Sequence, residues 1–263
     1  MLATQRQDRI LEQVAEHGAA RVSELVDLLR VSDMTIRRDV EALASRGLVE
    51  RVHGGVTALS GRSADEPGFT AKSSLQTHEK SAIARAAVDL VEPGAAVAIS
   101  AGTTTFQVAR ELRHVPDLTV VTNSIPVAQL LHESGRSDLT VLLTGGTRTP
   151  SDALVGPVAV ASLHTLHVDW LFLGVHGLDP VAGLTTPNMV EAETNRALLA
   201  SARRCAVVAD HTKWGVVGLS TIAALEQVDV LVTDSALPGH AREALNGRVD
   251  RLIVTTPGRR AVS

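Results

Sequence analysis

A short helical segment near the start of the chain places cations, a hydroxyl group and a flexible apolar side chain on one face. An α-helix turns by about 100° per residue, so apolar residues spaced i, i+4, i+7 from Ile36 form one stripe along the helix. Residues 34, 35, 37 and 38 lie beside this stripe or on the opposite face. Arginine binds guanine or phosphate, threonine binds phosphate or contacts a thymine methyl group, and methionine adapts to its partner. The predicted DNA contacts also include a serine that caps the helix and two residues of the following hairpin. The full set is Ser32, Met34, Thr35, Arg37, Arg38, Arg51 and His53.

The segments around this helix have the pattern of a helix-turn-helix followed by a wing. Ser32 occupies an N-cap position, Asp33 follows in the first turn, and Gly47 ends the helix after about Arg46. A short leucine-rich helix precedes the turn, and an alternating stretch that turns on two glycines follows it. Such a domain places its second helix in the major groove. A solvated arginine face is the alternative, but the cap, turn, stripe and wing together favour DNA contact.

The charge of this N-terminal part indicates that single copies bind DNA weakly. Residues 1–57 contain eight Arg and no Lys against nine Asp plus Glu, a net charge of −1. Glu41 lies further along the outer helix face and would repel phosphate, so only the N-terminal half of the helix is expected in the groove. We therefore predict a homo-oligomer, a dimer or tetramer, that binds repeated half-sites of double-stranded operator DNA.

A second set of small and hydroxylated residues follows the strands predicted in the rest of the chain. Strands alternate with helices there, which predicts a mostly parallel sheet covered on both faces, with ligands at the carboxyl ends of the strands. The segment SAGTTT at residues 100–105 lies between a strand and a helix N-terminus, an arrangement that presents N–H groups and hydroxyls to an anion. A plain turn capped by Thr is the alternative, but the neighbouring loops favour phosphate binding.

The predicted effector contacts are the residues that follow these strands, with two acidic side chains nearby. They are Ser100, Ala101, Gly102, Thr103, Thr104, Thr105, Asn123, Ser124, Gly145, Gly146, Asp152, His176, Glu191 and Lys213. The residues themselves predict a ligand that carries a phosphate group.

Lysine is rare in this chain, which draws attention to the three that are present. They are Lys72, Lys80 and Lys213, against 22 arginines. The bias itself is typical of genome composition, but a lysine persists where a compact ammonium is needed and a guanidinium would not fit. Lys213 directly follows a predicted strand, so we expect it to pair with the phosphate or with a sugar hydroxyl. Lys80 begins a helix, and the sequence assigns no role to Lys72.

Several segments together resemble the DeoR family of bacterial transcriptional regulators. The run VSDMTIRRDVEAL with GLVERVHGG resembles its N-terminal signature, and AVAISAGTTT, VVTNS, LLTGG, DWLFLGVHG and VVADHTKWG resemble its sensor domain in the same order. The resemblance covers nearly the whole chain apart from the linker and the last residues. It implies a winged helix-turn-helix joined to an α/β domain similar to ribose-5-phosphate isomerase and its CoA-transferase relatives. Members are mostly repressors of carbohydrate catabolic genes that a phosphorylated sugar or polyol releases, and Lys80 and Lys213 match lysines of the family.

The expected fold class is α/β, with an N-terminal winged helix-turn-helix and a doubly wound sensor domain. We predict a DNA-binding domain at residues 1–57, a linker rich in Ser, Gly, Ala and Thr at 58–78, and the effector domain at 79–263. Strands of the effector domain are expected at residues 95–99, 118–121, 140–143, 171–173, 205–209, 228–232 and 252–254.

Composition excludes several other classes. The net charge is −4, and five aromatic residues without tyrosine argue against binding of single strands by base stacking. One cysteine, Cys205, indicates a reducing compartment. No apolar run reaches membrane-spanning length and the N-terminus does not resemble a signal peptide, so a cytoplasmic location without membrane contact is expected. Histidines occur without HExxH or CxxC companions, so no metal and no other cofactor is predicted.

Two alternative functions use the same fold. A sugar-phosphate isomerase or hydrolase with a DNA-binding head needs a carboxylate base, but residues 174–179 lack the acidic pair of the related isomerases. Asp152, Glu191 and Glu193 remain nearby candidates, although binding of sugar hydroxyls or pairing with Arg196 is the favoured interpretation. A regulator that binds an acyl-CoA is the other alternative. We predict a non-enzymatic repressor, with an activator built from the same parts left open.

Overall fold

The structure is a computed structural model that describes residues 2–17, 19–45, 48–52, 54–57 and 68–258. The chain divides into two compact units, residues 1–67 and 68–263. The described residues leave out Arg46 and Gly47, where the second helix is predicted to end, and His53. They also leave out residues 58–67 of the expected linker and residues 259–263 of the expected effector domain. Each unit is described by itself.

The N-terminal unit has the predicted helix-turn-helix and wing, and one more strand. In the wing, β2 and β3 form an antiparallel hairpin, and the additional strand β1 pairs with the other side of β3. The elements are α1 (Ala3–His17), β1 (Ala19–Arg21), α2 (Val22–Leu29), α3 (Asp33–Ser45), β2 (Glu50–Val52) and β3 (Gly55–Thr57).

The core of this unit confirms the predicted apolar stripe on α3. Ile36, Val40 and Leu43 are all buried, and they pack with Ile10 of α1 and Leu25 of α2 in one cluster. Because the stripe is inside, the outer face of α3 remains available at the surface.

The core face of α3 also carries a buried carboxylate that the sequence pattern did not indicate. Asp39 is 4% exposed. It receives hydrogen bonds from Arg6 Nε at 2.5 Å, Arg6 Nη2 at 3.1 Å and Gln7 Nε2 at 3.3 Å. This ion pair fixes α1 against α3.

We expect Asp39→Ala to lower the melting temperature of the N-terminal unit by about 5 °C or more, because removal of one partner leaves the arginine without its buried counter-ion. Thermal unfolding of the full chain, followed by calorimetry, measures the change. Asp27→Ala, at an exposed carboxylate of α2, is the matched control. Equal melting temperatures for the two variants would contradict the structural role of Asp39.

The second unit contains a seven-stranded sheet with helices and short hairpins between its strands. Its elements are α4 (Phe69–Ser73), α5 (Thr77–Val88), β4 (Ala96–Ile99), α6 (Thr103–Leu112), β5 (Thr119–Thr122), α7 (Ile125–His132), β6 (Thr140–Leu143), β7 (Thr147–Arg148), β8 (Leu154–Val155), α8 (Pro157–Leu163), β9 (Val168–Leu173), β10 (Gly177–Asp179), β11 (Gly183–Thr186), α9 (Met189–Ser201), β12 (Ala202–Val208), β13 (Ser220–Ala223), β14 (Val230–Asp234), α10 (Gly239–Leu245) and β15 (Arg251–Thr255).

All pairings within the seven-stranded sheet are parallel, in the order β15-β14-β12-β9-β4-β5-β6. Alternate residues of its strands enter two separate cores, as the pleat requires. Val97 and Ile99 of β4 pack in the core with α5, α6 and α7, whereas Ala98 packs in the core with α8, α9 and α10. The predicted doubly wound sheet is therefore confirmed.

The second unit begins before the residue expected from composition. Residues 68–78, expected within the linker, include α4 and the first residues of α5. Phe69 packs edge-on against Phe106 with ring centroids 5.6 Å apart. Lys80 Nζ donates to the carbonyl oxygens of Lys72 at 2.8 Å and Leu75 at 2.6 Å. These contacts with residues later in the chain hold α4, and local composition does not show them.

A small antiparallel sheet in the order β10-β11-β13 was not predicted. Its strands are short, and glycines rather than apolar alternation mark them. A Cβ atom at Gly177 would overlap the carbonyl oxygen of Val216, and one at Gly183 would overlap that of Ala223. The backbones approach too closely here for any side chain at the two glycines.

Candidate functional site

The outer face of α3 presents the predicted DNA contacts at its N-terminal end. Ser32 Oγ accepts a hydrogen bond from the Thr35 N–H at 3.3 Å and lies 2.8 Å from Thr35 Oγ1. Ser32 therefore caps the helix, as its position indicates. Met34 is 64% exposed, which leaves its side chain available to a partner.

The arginines of this face differ in how far their charge is already neutralised. Arg37 Nε donates to Asp33 Oδ1 at 2.5 Å, one turn earlier on α3. Arg51 of the wing is paired with Glu41, so the carboxylate expected to repel phosphate has a cationic partner in the chain. The Arg38 side chain is exposed and forms no ion pair or hydrogen bond within the described residues. Arg38 is therefore the arginine of α3 whose charge is not neutralised by another of the described residues.

The carboxyl ends of the parallel strands bring several predicted effector residues together. The loop after β4 lies between the ends of β5 and β9, because these strands flank β4 in the sheet. It leads into α6, whose first residues are Thr103, Thr104 and Thr105, each at most 9% exposed. The first N–H groups of an α-helix have no partner within the helix and carry its positive dipole end. This loop is therefore suited to bind an anion.

Hydrogen bonds from neighbouring strands hold this loop rigidly. Asn123 Oδ1 accepts from the Ala101 N–H at 2.9 Å, and its Nδ2 donates to the Leu154 carbonyl at 3.2 Å. Ser100 Oγ accepts from the Gly174 N–H at 2.9 Å. Ser100 and Asn123, both predicted to touch the ligand, are fully buried and bond to the backbone in this structure. Their observed role is to position the loop.

Within the loop, the threonines differ in what their hydroxyls do. Thr105 Oγ1 donates to the Gly102 carbonyl at 2.9 Å, which closes the first turn of α6. The hydroxyls of Thr103 and Thr104 form no hydrogen bond within the described residues. Gly102 has φ +153°, and an added Cβ would lie 3.0 Å from Thr105 Oγ1. Thr103 and Thr104 are therefore the hydroxyls available to a bound anion.

Other predicted residues at this edge have structural partners. Ser124 caps α7 through the Val127 N–H at 3.4 Å. Asp152 pairs with Arg148 and has a left-handed φ of 59°. A Cβ at Gly146, where φ is +120°, would lie 2.5 Å from the Val155 carbonyl oxygen.

The remaining predicted positions are less closely tied to the loop. Gly145 has φ +74° and lies beside Val158. Glu191 lies in the first turn of α9, where its N–H is capped by Asn188. His176 follows β9, and its N–H donates to the Thr185 carbonyl of the small antiparallel sheet at 3.1 Å. No hydrogen bond among the described residues joins these positions to residues 100–105.

Lys80 and Lys213 both lie close to Asp210. Lys80 is near the start of α5, and Asp210 and Lys213 follow the end of β12. Lys80 is 4% exposed, and burial lowers the pKa of its ammonium group from 10.5 to about 8, although the charge of Asp210 acts in the opposite direction. The charge of Lys213 also lowers this pKa. Asp210 Oδ1 accepts from the Thr212 N–H at 3.1 Å. An anion near these lysines would relieve the repulsion between them.

A histidine–aspartate pair that the sequence analysis did not identify lies at the ends of β12 and β14. His211 Nδ1 is 2.9 Å from Asp234 Oδ1, and the His211 N–H donates to Asp234 Oδ2 at 2.8 Å. Asp234 is fully buried, and 30% of the His211 side chain is exposed. The segment VVADHTKWG contained this histidine, but its partner is distant in sequence.

The pKa values of the pair move in the directions of a stabilised ion pair. The hydrogen bond to Asp234 raises the pKa of His211 above 6.5; the charges of Asp234, Asp210 and Glu79 add to this increase, and burial opposes it. Burial alone would raise the pKa of Asp234, but hydrogen bonds from His211 and from the Ala236 N–H outweigh it and the net pKa is lowered.

A raised histidine pKa stabilises the fold at low pH. We expect His211→Asn to reduce the free energy of unfolding most below about pH 6.5, and to reduce it less as the pH rises through the raised pKa of His211. Urea unfolding of both proteins between about pH 6 and pH 9 measures the difference. A difference that is constant over this range would contradict a charged histidine in the folded state.

The described residues contain no group of three or more His, Cys, Asp or Glu side chains placed to hold a metal ion. Among the described helices, none combines the length and the apolar character needed to cross a membrane.

Comparisons with known proteins agree with the division of the chain into a helix-turn-helix unit and a second, larger unit. The family model described as "DeoR-like helix-turn-helix domain" matches residues 6–62, and "DeoR C terminal sensor domain" matches residues 75–235. The transcriptional regulator GlpR of Haloferax volcanii is 39% identical over 93% of this chain and 95% of its own length. The transcriptional repressor CsqR of Escherichia coli is 34% identical over 91% of each protein, and the glycerol-3-phosphate regulon repressor of the same organism is 32% identical over 93% of this chain and 96% of its own.

Among solved structures, the chain is similar to ribose 5-phosphate isomerase from Plasmodium falciparum. The TM-score is 0.38 at 18% identity, over 53% of this chain and 54% of that chain. At this level the likeness bears on neither ligand nor activity. The two family models and the full-length relatives, which are named as transcriptional regulators, show that this chain belongs to the DeoR family of transcriptional regulators.

Proposed function

We propose that this protein is a cytoplasmic transcriptional repressor of carbohydrate catabolic genes, controlled by a phosphorylated sugar or polyol. The observation that carries the effector half is the loop at residues 100–105. There a helix N-terminus and the free hydroxyls of Thr103 and Thr104 meet on a backbone held by Ser100 and Asn123. The names of two relatives, a transcriptional repressor and the glycerol-3-phosphate regulon repressor, support this class of function.

The DNA half of the proposal rests on the N-terminal end of α3. An uncompensated Arg38 and an exposed Met34 there present a charge and an adaptable apolar group to the major groove. Since residues 1–57 have a net charge of −1, one copy has little non-specific affinity for phosphate. Two or more copies on repeated half-sites make the binding tight and specific.

In the proposal, the effector binds at the carboxyl edge of the seven-stranded sheet. The phosphate lies at the N-terminus of α6, and Lys213 pairs with the phosphate or with a sugar hydroxyl, beside the buried Lys80. An effector controls DNA binding only through a difference in affinity for two states of the protein, and by linkage DNA then weakens effector binding by the same factor.

Fluorescence anisotropy with labelled DNA from immediately upstream of the gene tests both halves. Protein is titrated at about 100 mM salt, where non-specific phosphate contacts are already weak, and a panel of sugar phosphates and polyol phosphates follows. Tight binding that one phosphorylated compound reverses is the expected result. An acyl-CoA is included as a competitor of the other ligand class.

Two outcomes would contradict parts of the proposal. Tight DNA binding that no phosphorylated sugar or polyol alters would reject the effector class. Absence of specific DNA binding together with turnover of a phosphosugar by the purified protein would favour the isomerase-like alternative, and loss of that turnover in Glu191→Gln would assign the base.

A further inference from the structure

The outer side of β6 has backbone groups that no strand of the sheet satisfies. β6 is the last strand of the seven-stranded sheet, next to β5. The N–H groups of Thr140 and Thr144 donate to carbonyl oxygens on the β5 side. Because bonding partners alternate along a strand, the N–H and C=O groups of Val141 and Leu143 point away from β5. Within the described residues, these four groups have no hydrogen-bond partner.

The side chains of this edge are apolar and carry no charge. Leu142 is 37% exposed, and Leu143 is 45% exposed. Residues 139–147 contain neither a charged residue nor a proline, the two devices by which proteins commonly keep an edge strand from pairing. The strand at the other edge of the sheet, β15, begins with the exposed Arg251. Of the two edges, β6 is therefore the one suited to accept a further strand.

We propose that β6 pairs antiparallel with β6 of a second copy of this chain, across a two-fold axis at Leu142, so that the two sheets become continuous. In this register Val141 lies opposite the partner's Leu143, and the two residues exchange both N–H···O=C bonds, as in a bonded antiparallel pair. By the two-fold symmetry, Leu143 bonds to the partner's Val141 in the same way. All four free groups of each edge are then satisfied.

The side chains and the nearby charges fit this register. Leu142 lies directly opposite its own copy, with Cβ atoms about 4.5–5.5 Å apart, and its exposed apolar surface is removed from water. The charges on either side of β6 are already neutralised, since Arg136 pairs with Asp138 and Arg148 pairs with Asp152. The pairing therefore brings apolar side chains together between ends whose charges have partners.

A second copy is the occupant that the rest of the chain favours. Residues 1–57 have a net charge of −1, so one copy has little affinity for DNA phosphates and the proposed operator binding needs at least two. A two-fold contact between identical edges closes after two copies, whereas a head-to-tail contact continues to further copies. The choice of occupant rests on the proposed DNA binding, and the geometry of the edge rests on β6 alone.

Sedimentation equilibrium of the full-length protein measures the dimer without DNA. Leu142→Arg places a charge at the two-fold axis. Leu143→Pro removes an N–H that points outward and no bond to β5, so it spares the sheet and decides the test if Leu142→Arg does not fold. Val254→Arg, at a residue of β15 that is 38% exposed, is the matched control. We expect each β6 variant to raise the dissociation constant of the dimer at least tenfold, and the control to stay within about twofold.

Oxidative cross-linking tests the register. In Leu142→Cys, the new thiols lie opposite each other at a separation that a disulfide spans, so a mild oxidant is expected to give a covalent dimer. In Thr140→Cys, the two thiols are offset by four residues, about 13 Å along the strand, and no covalent dimer is expected. The native Cys205 is 2% exposed, so it does not contribute to the cross-link.

Three results would overturn the inference. One is a monomeric unmodified protein, which would leave the edge to a strand of a different protein. Another is a dimer whose dissociation constant neither Leu142→Arg nor Leu143→Pro changes. The third is equal cross-linking of Leu142→Cys and Thr140→Cys. Failure of the proposed DNA binding is a separate result, because a dimer that depends on β6 but has no affinity for the operator supports the inference and rejects that function.

Discussion

Arg38→Ala is expected to weaken binding of operator DNA by at least 30-fold. Arg38 is the exposed arginine of α3 that forms no ion pair within the described residues, so its full charge is available to DNA. Loss of one such contact costs about 1–3 kcal/mol, and two copies on two half-sites lose about 2–6 kcal/mol together. Fluorescence anisotropy with the operator, at one fixed salt concentration, measures the loss.

The other arginines of the same face provide the comparison. Arg37 is bound to Asp33 and Arg51 to Glu41. Either arginine must break or share its ion pair to contact phosphate, so Arg37→Ala is expected to weaken operator binding less than Arg38→Ala does. Arg9→Ala, at an exposed arginine of α1, is the control with no expected effect. Operator affinity within about twofold of the unmodified protein in Arg38→Ala would contradict the assignment of α3 as the DNA-contacting helix.

The salt dependence of the same titrations distinguishes two roles for Arg38. If Arg38 contacts phosphate, the variant loses affinity for all sequences and the slope of log affinity against log salt falls by about 1 for each lost contact. If it contacts a guanine, the variant loses discrimination at one base position of each half-site and retains most of its non-specific affinity.

Lys213→Met is expected to raise the effector concentration needed to release DNA by about 10-fold or more. Lys213 ends the short helical turn after β12, where it lies near Lys80 and Asp210. A charge-assisted hydrogen bond to an anion contributes about 1.5–3 kcal/mol, and methionine keeps the length of the side chain without the charge. The release of labelled operator by the effector measures the change.

Two features separate this result from a general loss of folding. Operator affinity without effector is expected to stay unchanged in Lys213→Met, because the substitution lies in the other unit of the chain. Arg110→Met, at an exposed cation in the last turn of α6, is the control for loss of charge alone. An effector midpoint that does not move in Lys213→Met would remove this lysine from the binding site.

The N-terminal helices illustrate what could be predicted from local sequence. The cap at Ser32 and the buried stripe of Ile36, Val40 and Leu43 both depend on residues within a few positions of each other. Helix geometry fixes those relationships whatever the rest of the chain does. The buried Asp39 lies on the same helix and was missed, because its partner Arg6 is 33 residues away.

The starts of two strands also depend on contacts that the local sequence does not show. The strand predicted at residues 205–209 is β12 (Ala202–Val208) in the structure, and the strand predicted at 171–173 is β9 (Val168–Leu173). The earlier residues of the two strands pair with each other, Ala202 with Val168 and Arg204 with Trp170, and Arg204 lies over the Trp170 ring at 4.3 Å. Hydrophobicity alone places the start of each strand too late.

By itself, the sequence determined the two-part organisation, and it led to the predictions of which helix faces DNA and which loop is most suited to an anion. These features depend on short-range periodicity, on capping and on the alternation of strands with helices. Only the tertiary structure decided which groups remain free to act. It paired Arg51 with Glu41 but left Arg38 exposed, used Asn123 to hold a loop, and joined His211 to Asp234 across 23 positions. Contacts between separate segments settle the pairing of these polar groups, and no local pattern encodes those contacts.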